Sequence, residues 1–250
     1  MSGVLEVKGL SGGYSRQKNV IHDLSFHVDK GELVGLVGLN GAGKSTTIKH
    51  ILGLMEPSTG EIKVDGLTIR ENKTAYRSHM TYIPETPNLY EQLTLREHLE
   101  LTAMAYGIER EEFAKRMPPL IQLFQMENRL DWYPGHFSKG MKQKVMIMCA
   151  FLVQPDLYVV DEPFVGLDPI GIQAFLDLMM EMKAKGAGIL MSTHILSTAE
   201  QYCDRFILLH QGRIAMQGTM DELRKTAGNA DITLHELYVA VAKGEEPWNK

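Results

Sequence analysis

The 250-residue chain is poor in cysteine, has no long apolar run and carries no excess of positive charge. Its two cysteines, Cys149 and Cys203, cannot build a disulfide framework, so both are expected to be reduced thiols of a cytosolic protein. Cys149 lies inside an apolar stretch and is expected to be buried. The longest uncharged apolar run, Val145–Val153, is less than half of the roughly 20 residues that a bilayer-crossing helix needs. The chain is therefore expected not to span a membrane itself, though it could dock on a protein that does. The opening "MSGVLEVKGL" lacks the charged-then-apolar layout of a secretion signal. With 26 basic against 31 acidic residues the net charge is −5, which argues against a nucleic-acid coat but leaves room for a local basic patch. No Cys/His spacing suggests zinc, and no internal repeat or low-complexity segment is present.

What is there is an ordinary globular composition, 44% hydrophobic, in a chain long enough for a sizeable core. "VLEVKGLSGGY" and "VIHDLSFHVD" alternate as half-buried strands do. Leu33–Val37 reads as a fully buried strand feeding a helix, and "STGEIKVDGLTI" as a further short strand pair. From about residue 87 to 153 the pattern turns helical. Thr94 and Glu97 have capping-box spacing, Gly107 is a plausible helix stop, and "REEFAKRMPPLIQLFQM" and Met141–Val153 read as helices. "LYVV" and "GILMS" then read as buried strands around a helix over Ile170–Lys185, and "RFILLHQGRIAMQG" as a hairpin turning at Gln211–Gly212. Thr219 and Glu222 repeat the capping-box spacing, and the tail "AKGEEPWNK" looks frayed.

Between the buried strand and its helix stands "GLNGAGKST", residues 38 to 46, which fits G-x-x-x-x-G-K-[ST] in the context that motif requires. Glycines let consecutive backbone N–H groups face one anion, and the helix start adds partial positive charge. Gly38, Asn40, Gly41, Ala42, Gly43, Lys44, Ser45 and Thr46 are the candidate nucleotide-binding residues, with Lys44 reaching the outer phosphates and the Ser45 hydroxyl on Mg²⁺. "LYVVDEP" supplies a second metal carboxylate, Asp161, and beside it Glu162, a candidate base for water. "HFSKGMKQK" read alone is a basic loop opening a buried helix, with Ser138 as its N-cap.

Taken in order, "GLNGAGKST", "FSKGMKQK", "LYVVDEPFVGLD" and "STH" resemble ATP-binding-cassette (ABC) ATPase subunits over about residues 4 to 240. The similarity is closest to subunits of Ecs-type bacterial transporters, through "GLNGAGKSTTIKHILGLM", "YIPETP", "LTAMAYG", "HFSKGMKQKVMIMCAFL" and "LMSTHIL". The resemblance implies an α/β P-loop NTPase fold: a RecA-like core, an N-terminal antiparallel β-subdomain and an inserted α-helical subdomain. Residues 1–250 would form one ABC ATPase domain. The core with the β-subdomain would take about 1–86 and 154–218, the helical subdomain about 87–153, and a C-terminal helical tail about 219–250.

The resemblance also implies two subunits clasping two ATP molecules head to tail, with Ser138 and Gly140 of one closing on the phosphates held by the other. Tyr14 would stack on adenine. Asp168 would link the two sites, and His194 would hydrogen-bond the γ-phosphate and hold Glu162. Glu85 stands where the family usually has glutamine, next to Mg²⁺ and the γ-phosphate; Lys139 and Met141 replace a glycine and a glutamine of the usual signature. Ecs-type chains share these departures. ATP and Mg²⁺ are the implied cofactors. The implied partners are an Ecs-type integral membrane permease working in the export direction and a second copy of the chain, with no nucleic acid; the place is the cytoplasmic face of the membrane. Residues from Glu85 to Leu101, with Tyr90 and Leu93, are candidates to line the groove for the permease. Two other readings stay open at this point: a catalytically silent nucleotide-binding regulator, and a soluble ABC ATPase acting on ribosomes or DNA. Turnover of the purified chain and membrane fractionation discriminate them.

Overall fold

The computed structural model describes residues 3–15 and 18–243. Two sheets share the chain. The first is antiparallel and three-stranded in the order β2-β1-β4, from β1 (Leu5–Gly12), β2 (Ile21–Val28) and β4 (Thr59–Val64). The second has six strands in the order β5-β6-β7-β3-β8-β9. It comprises β3 (Leu33–Val37), β5 (Met80–Ile83), β6 (Leu157–Asp161), β7 (Gly188–Thr193), β8 (Arg205–His210) and β9 (Arg213–Gly218). All of its pairings are parallel except β8 with β9. The expected mixed α/β architecture is thus present.

The parallel strands are buried on both faces, which explains their unbroken apolar runs. Along β6, Tyr158 and Val160 join one apolar cluster while Val159 joins the other. The first cluster carries the helices: Phe151 stacks on Tyr158 at 4.8 Å between ring centroids and meets Phe175 edge-on at 5.9 Å. The second lies under the antiparallel sheet.

Helix α1 (Lys44–Ile51) follows β3, and the short α2 (Lys73–Ser78) precedes β5. Between β5 and β6 come α3 (Leu95–Ala105), α4 (Arg110–Leu123) and α5 (Lys139–Val153). Helix α6 (Pro169–Ala184) connects β6 to β7, and α7 (Leu196–Tyr202) connects β7 to β8. Helices α8 (Met220–Ala227) and α9 (Leu234–Lys243) follow β9 and bury Leu223, Leu234, Leu237, Tyr238 and Val241. Both expected capping boxes form, at Thr94/Glu97 and Thr219/Glu222. A third reciprocal pair, Thr233/Glu236, opens α9.

Two expectations are corrected. "STGEIKVDGLTI" is one strand, not a pair, because Asp65 and Gly66 turn the chain in left-handed backbone and leave only a Val64–Leu67 bridge. Cys149 is part-buried rather than sealed; its helix turns it toward Thr102, and burial still pushes its thiol up to about 11. Most of the expected frayed tail, residues 244–250, lies outside the described residues.

Candidate active site

The sequence places a chemically loaded residue after each of four parallel strands. In this sheet those strands are neighbours in the order β5-β6-β7-β3, and their carboxyl ends lie together, the usual ligand crevice of such sheets. Val37 is in register with Thr193, and Asp161 with Ser192. Gly38, His194 and the Asp161–Glu162 pair therefore leave the sheet at one level, and Glu85 follows β5 alongside.

The glycine loop arches over the start of α1. Gly41 and Gly43 have φ of 84° and 112°, conformations that glycine adopts without strain. Gly38 cannot carry a side chain for a second reason, since a Cβ there would stand 2.9 Å from the Leu209 carbonyl. The buried Lys44 ammonium donates to the Gly38 carbonyl at 2.6 Å and lies 3.6 Å from the Glu162 carboxylate. Asn40, Gly41 and Ser45 are exposed, whereas Ala42, Gly43 and Thr46 are buried.

Asp161 is buried and accepts a short hydrogen bond from the Ser192 hydroxyl. Burial raises its carboxyl above the ordinary range, and the Glu162 charge adds to this, while Ser192, Lys44 and the Ser45 hydroxyl act against it. Ser45 and Asp161 thus present hard oxygen donors to one spot, a set that suits Mg²⁺. Tyr82, under the same crevice, is pushed up by burial and then by the charges of Asp161 and the exposed Glu85.

Glu162 has φ of 47°, an uncommon backbone conformation for a residue with a side chain, held by its N–H donating to Ser192 O at 3.1 Å. One carboxylate oxygen meets both His194 Nδ1 at 2.7 Å and the His194 N–H at 3.2 Å; the other faces Lys44. The histidine ring itself is exposed.

Tyr14 is two-thirds exposed, with the Lys49 ammonium 5.0 Å from its ring centre. Hydrogen bonding with Thr46 and then Lys49 lowers its hydroxyl pKa, so the ring stands beside the outer flank of α1.

Ser138 caps α5 by accepting from Met141 N–H at 3.2 Å. Among the described residues, no hydrogen bond or ion pair joins Ser138–Gly140 to the glycine loop of the same chain. Gly140 instead packs against Gly166: a Cβ on Gly140 would stand 2.3 Å from the Gly166 carbonyl. Asp168 caps α6 by accepting from Gly171 N–H at 2.6 Å and pairs with Lys144 at 3.0 Å; these contacts lower its pKa in that order.

Four participants escaped sequence reasoning. They are Ser192 on Asp161, Lys144 on Asp168, the fully buried Gln143, whose amide donates to Pro84 O at 3.1 Å just before Glu85, and Tyr238 on Leu39. Only Gln143 leaves a sequence signal, a lone amide on the apolar face of a helix. A separate cluster of Asp65, His79 and Asp156 sits at the amino ends of β5 and β6; Lys30 lies 3.3 Å and 4.0 Å from its carboxylates and closes it as a charge network.

A glycine cradle, a buried Asp–Glu pair and a strand-end histidine on one parallel sheet define an ATP-hydrolysing P-loop domain. The chain belongs to the ABC transporter family, whose model matches residues 21–165. It is 59% identical over 240 residues to the ABC-type transporter ATP-binding protein EcsA of Bacillus subtilis (strain 168), covering 96% of this chain and 97% of the relative. It is 34% identical to a Nod factor export ATP-binding protein I of Burkholderia thailandensis over 88% of this chain and 72% of that protein. A solved ATP-binding subunit of an ABC transporter matches with 59% identity and a TM-score of 0.93, over 95% of this chain and 99% of the other. Among the described residues, no helix is long and apolar enough to cross a membrane.

Proposed function

We propose that this ATP-binding subunit drives a separate Ecs-type membrane permease, in the export direction, from the cytoplasmic face of the membrane. ATP-dependent closure of two copies supplies the motion. The observation that carries the catalytic part is the grip on Glu162, whose carboxylate is held by Lys44 on one oxygen and by His194 on the other. Such a carboxylate is positioned to take a proton from water attacking the γ-phosphate. The phosphates would lie on the N–H groups of Gly38–Thr46, with Lys44 transferring its attraction from Glu162 to them. Mg²⁺, held by Ser45 and Asp161 with Glu85 nearby, would neutralise charge on the phosphate oxygens.

Tyr14 offers a flat face beside α1 for adenine. Ser138 is exposed, with the half-buried Gly140 beside it, on a helix start that attracts anions, which supports closure over the phosphates of a second copy, with Asp168 at the join. The energy of closure comes from contacts that exist only in the closed state. The domain boundaries follow this division of labour: core about 1–86 and 154–218, helical part about 87–153, tail about 219–250. On the helical part, Tyr90, Leu101 and Met104 are exposed apolar side chains suited to a helix of the permease. His98 shapes that edge, since Tyr90 N–H donates to its Nε2 at 3.0 Å and its Nδ1 is 2.7 Å from Thr94 O. The export direction rests on the likeness to a protein named for export.

The test is Glu162→Gln. It should keep ATP binding, elute as a dimer with Mg·ATP in size-exclusion chromatography, and turn over roughly 10²- to 10⁴-fold more slowly. A wild-type rate would remove Glu162 from the role of base, and a monomer at saturating Mg·ATP would remove dimer closure.

A further inference from the structure

The phosphate cradle is braced by more than its own helix. Gly212, in the hairpin turn, donates to Ala42 O at 3.0 Å. The N–H of Leu39, inside the cradle yet outside its expected phosphate-binding set, donates to the Tyr238 hydroxyl, 199 positions further along the chain. Tyr238 is buried on α9, while Leu39 itself is 56% exposed. The same helix is fixed at its other end. Leu234 N–H donates to Glu200 at 3.1 Å, and Arg224 of α8 reaches the other Glu200 oxygen at 3.3 Å and Ile232 O at 3.1 Å. Glu200 lies on α7, the helix that begins two residues after His194.

We propose that α9 is a strap across the active site, with Tyr238 as a positioning residue that sets the mouth of the phosphate cradle and Glu200 tying the same helix to the segment that carries His194. A tyrosine in a packed core normally finds some partner for its hydroxyl, and a carbonyl on a neighbouring helix would serve. Here the partner is the backbone of the one loop whose N–H directions decide phosphate affinity. A cradle binds tightly when its donors are already aimed, because aiming them on binding costs entropy. The strap keeps the loop's first turn from swinging and links the cradle and the histidine segment through one helix.

The inference rests on Gly38–Thr46 being the nucleotide cradle, and the test separates the two. Tyr238→Phe removes one hydroxyl and leaves the ring packed. In the 250-residue chain, the dissociation constant for a fluorescent ADP analogue with Mg²⁺ and the KM for ATP should each rise roughly three- to ten-fold, the scale of one neutral hydrogen bond. The kcat should stay within about two-fold, and amide exchange at Leu39 should accelerate. If the wild-type chain fails to bind the analogue, the cradle assignment is wrong. If it binds and Tyr238→Phe binds equally well, the strap is wrong. A fall in kcat with KM unchanged, or unchanged exchange at Leu39, likewise overturns it. Glu200→Ala gives a second approach. It should also raise the dissociation constant, and equal affinity with a lowered melting midpoint would make α9 a packing element alone.

Discussion

The two halves of the proposed nucleotide site are built on opposite principles. The cradle half is buried: Lys44, Asp161 and Glu162 are each less than a tenth exposed, and the Lys44 charge attracts both carboxylates against their mutual repulsion. The signature half has Ser138 and Lys139 at the surface and Gly140 half-buried, and among the described residues the Ser138 hydroxyl is engaged only with its own helix. The first half is rigid because its polar groups have few alternatives. The second is rigid because its backbone lies against Gly166, with Lys144 and Asp168 pinning the neighbouring turn. On the proposed function, burial serves electrostatic strength where the chain grips phosphate, and exposure serves access for a second copy.

That contrast breaks most visibly at Asp161. Asp161→Asn should lower turnover by on the order of a hundred-fold or more, the scale of losing one electrostatic partner of a transferring phosphoryl group. Yet without nucleotide the variant should melt at the wild-type temperature or above it. Burial raises the Asp161 carboxyl pKa, so its contribution to stability is fullest below the ordinary aspartate range and is lost as pH rises through the folded-state value. Asparagine does not titrate. The stability difference in favour of the variant should therefore grow from acid toward neutral pH, as a series of melting scans would read. A variant that is least stable at neutral pH would mean that the buried charge supports the fold.

Gly140→Ala tests the exposed half by its backbone. The added Cβ meets a carbonyl rather than a flexible side chain, so the overpacking should cost about 1–3 kcal/mol. In a chain of this size each kcal/mol lowers the melting midpoint by roughly 2–4 °C. Affinity of the free chain for ADP should be unchanged, because the cradle lies elsewhere. An unchanged midpoint would show that Gly166 yields freely and that the two loops are not coupled through this contact.

Much of this contrast was legible from sequence, for a physical reason. Hairpin turn, capping boxes and the buried strand Leu33–Val37 are written in residues close together in the chain, where spacing alone fixes geometry. The carboxylate pair and the glycine loop are legible because each stands directly at a strand end. The contact of His194 with Glu162 was expected from the family resemblance, but four others made across the sheet or between elements escaped: Ser192 with Asp161, Gln143 with Pro84, Lys144 with Asp168, and Tyr238 with Leu39. These depend on strand order and helix placement, which no local pattern encodes. The packing of Gly140 on the chain's own Gly166 carbonyl also escaped, being a contact between two loops far apart in sequence. The "STGEIKVDGLTI" misreading has the same origin, since two apolar runs around a turn do not say whether the second finds a partner.

The smallest expected effect separates the two roles of Ser138. As the cap of α5 its hydroxyl satisfies one N–H, and Ser138→Ala should cost about 1 kcal/mol of stability. Ser138→Asn restores a good cap, because the amide oxygen can accept the same bond. If the serine only caps, the asparagine variant should recover both melting midpoint and turnover. If its hydroxyl also closes over phosphate held by a second copy, asparagine should recover the midpoint and leave turnover low, with ADP affinity of the free chain intact in both variants. The pair of substitutions thus distinguishes a hydroxyl that holds its own helix from one that also serves a partner, on a surface where the two share one atom.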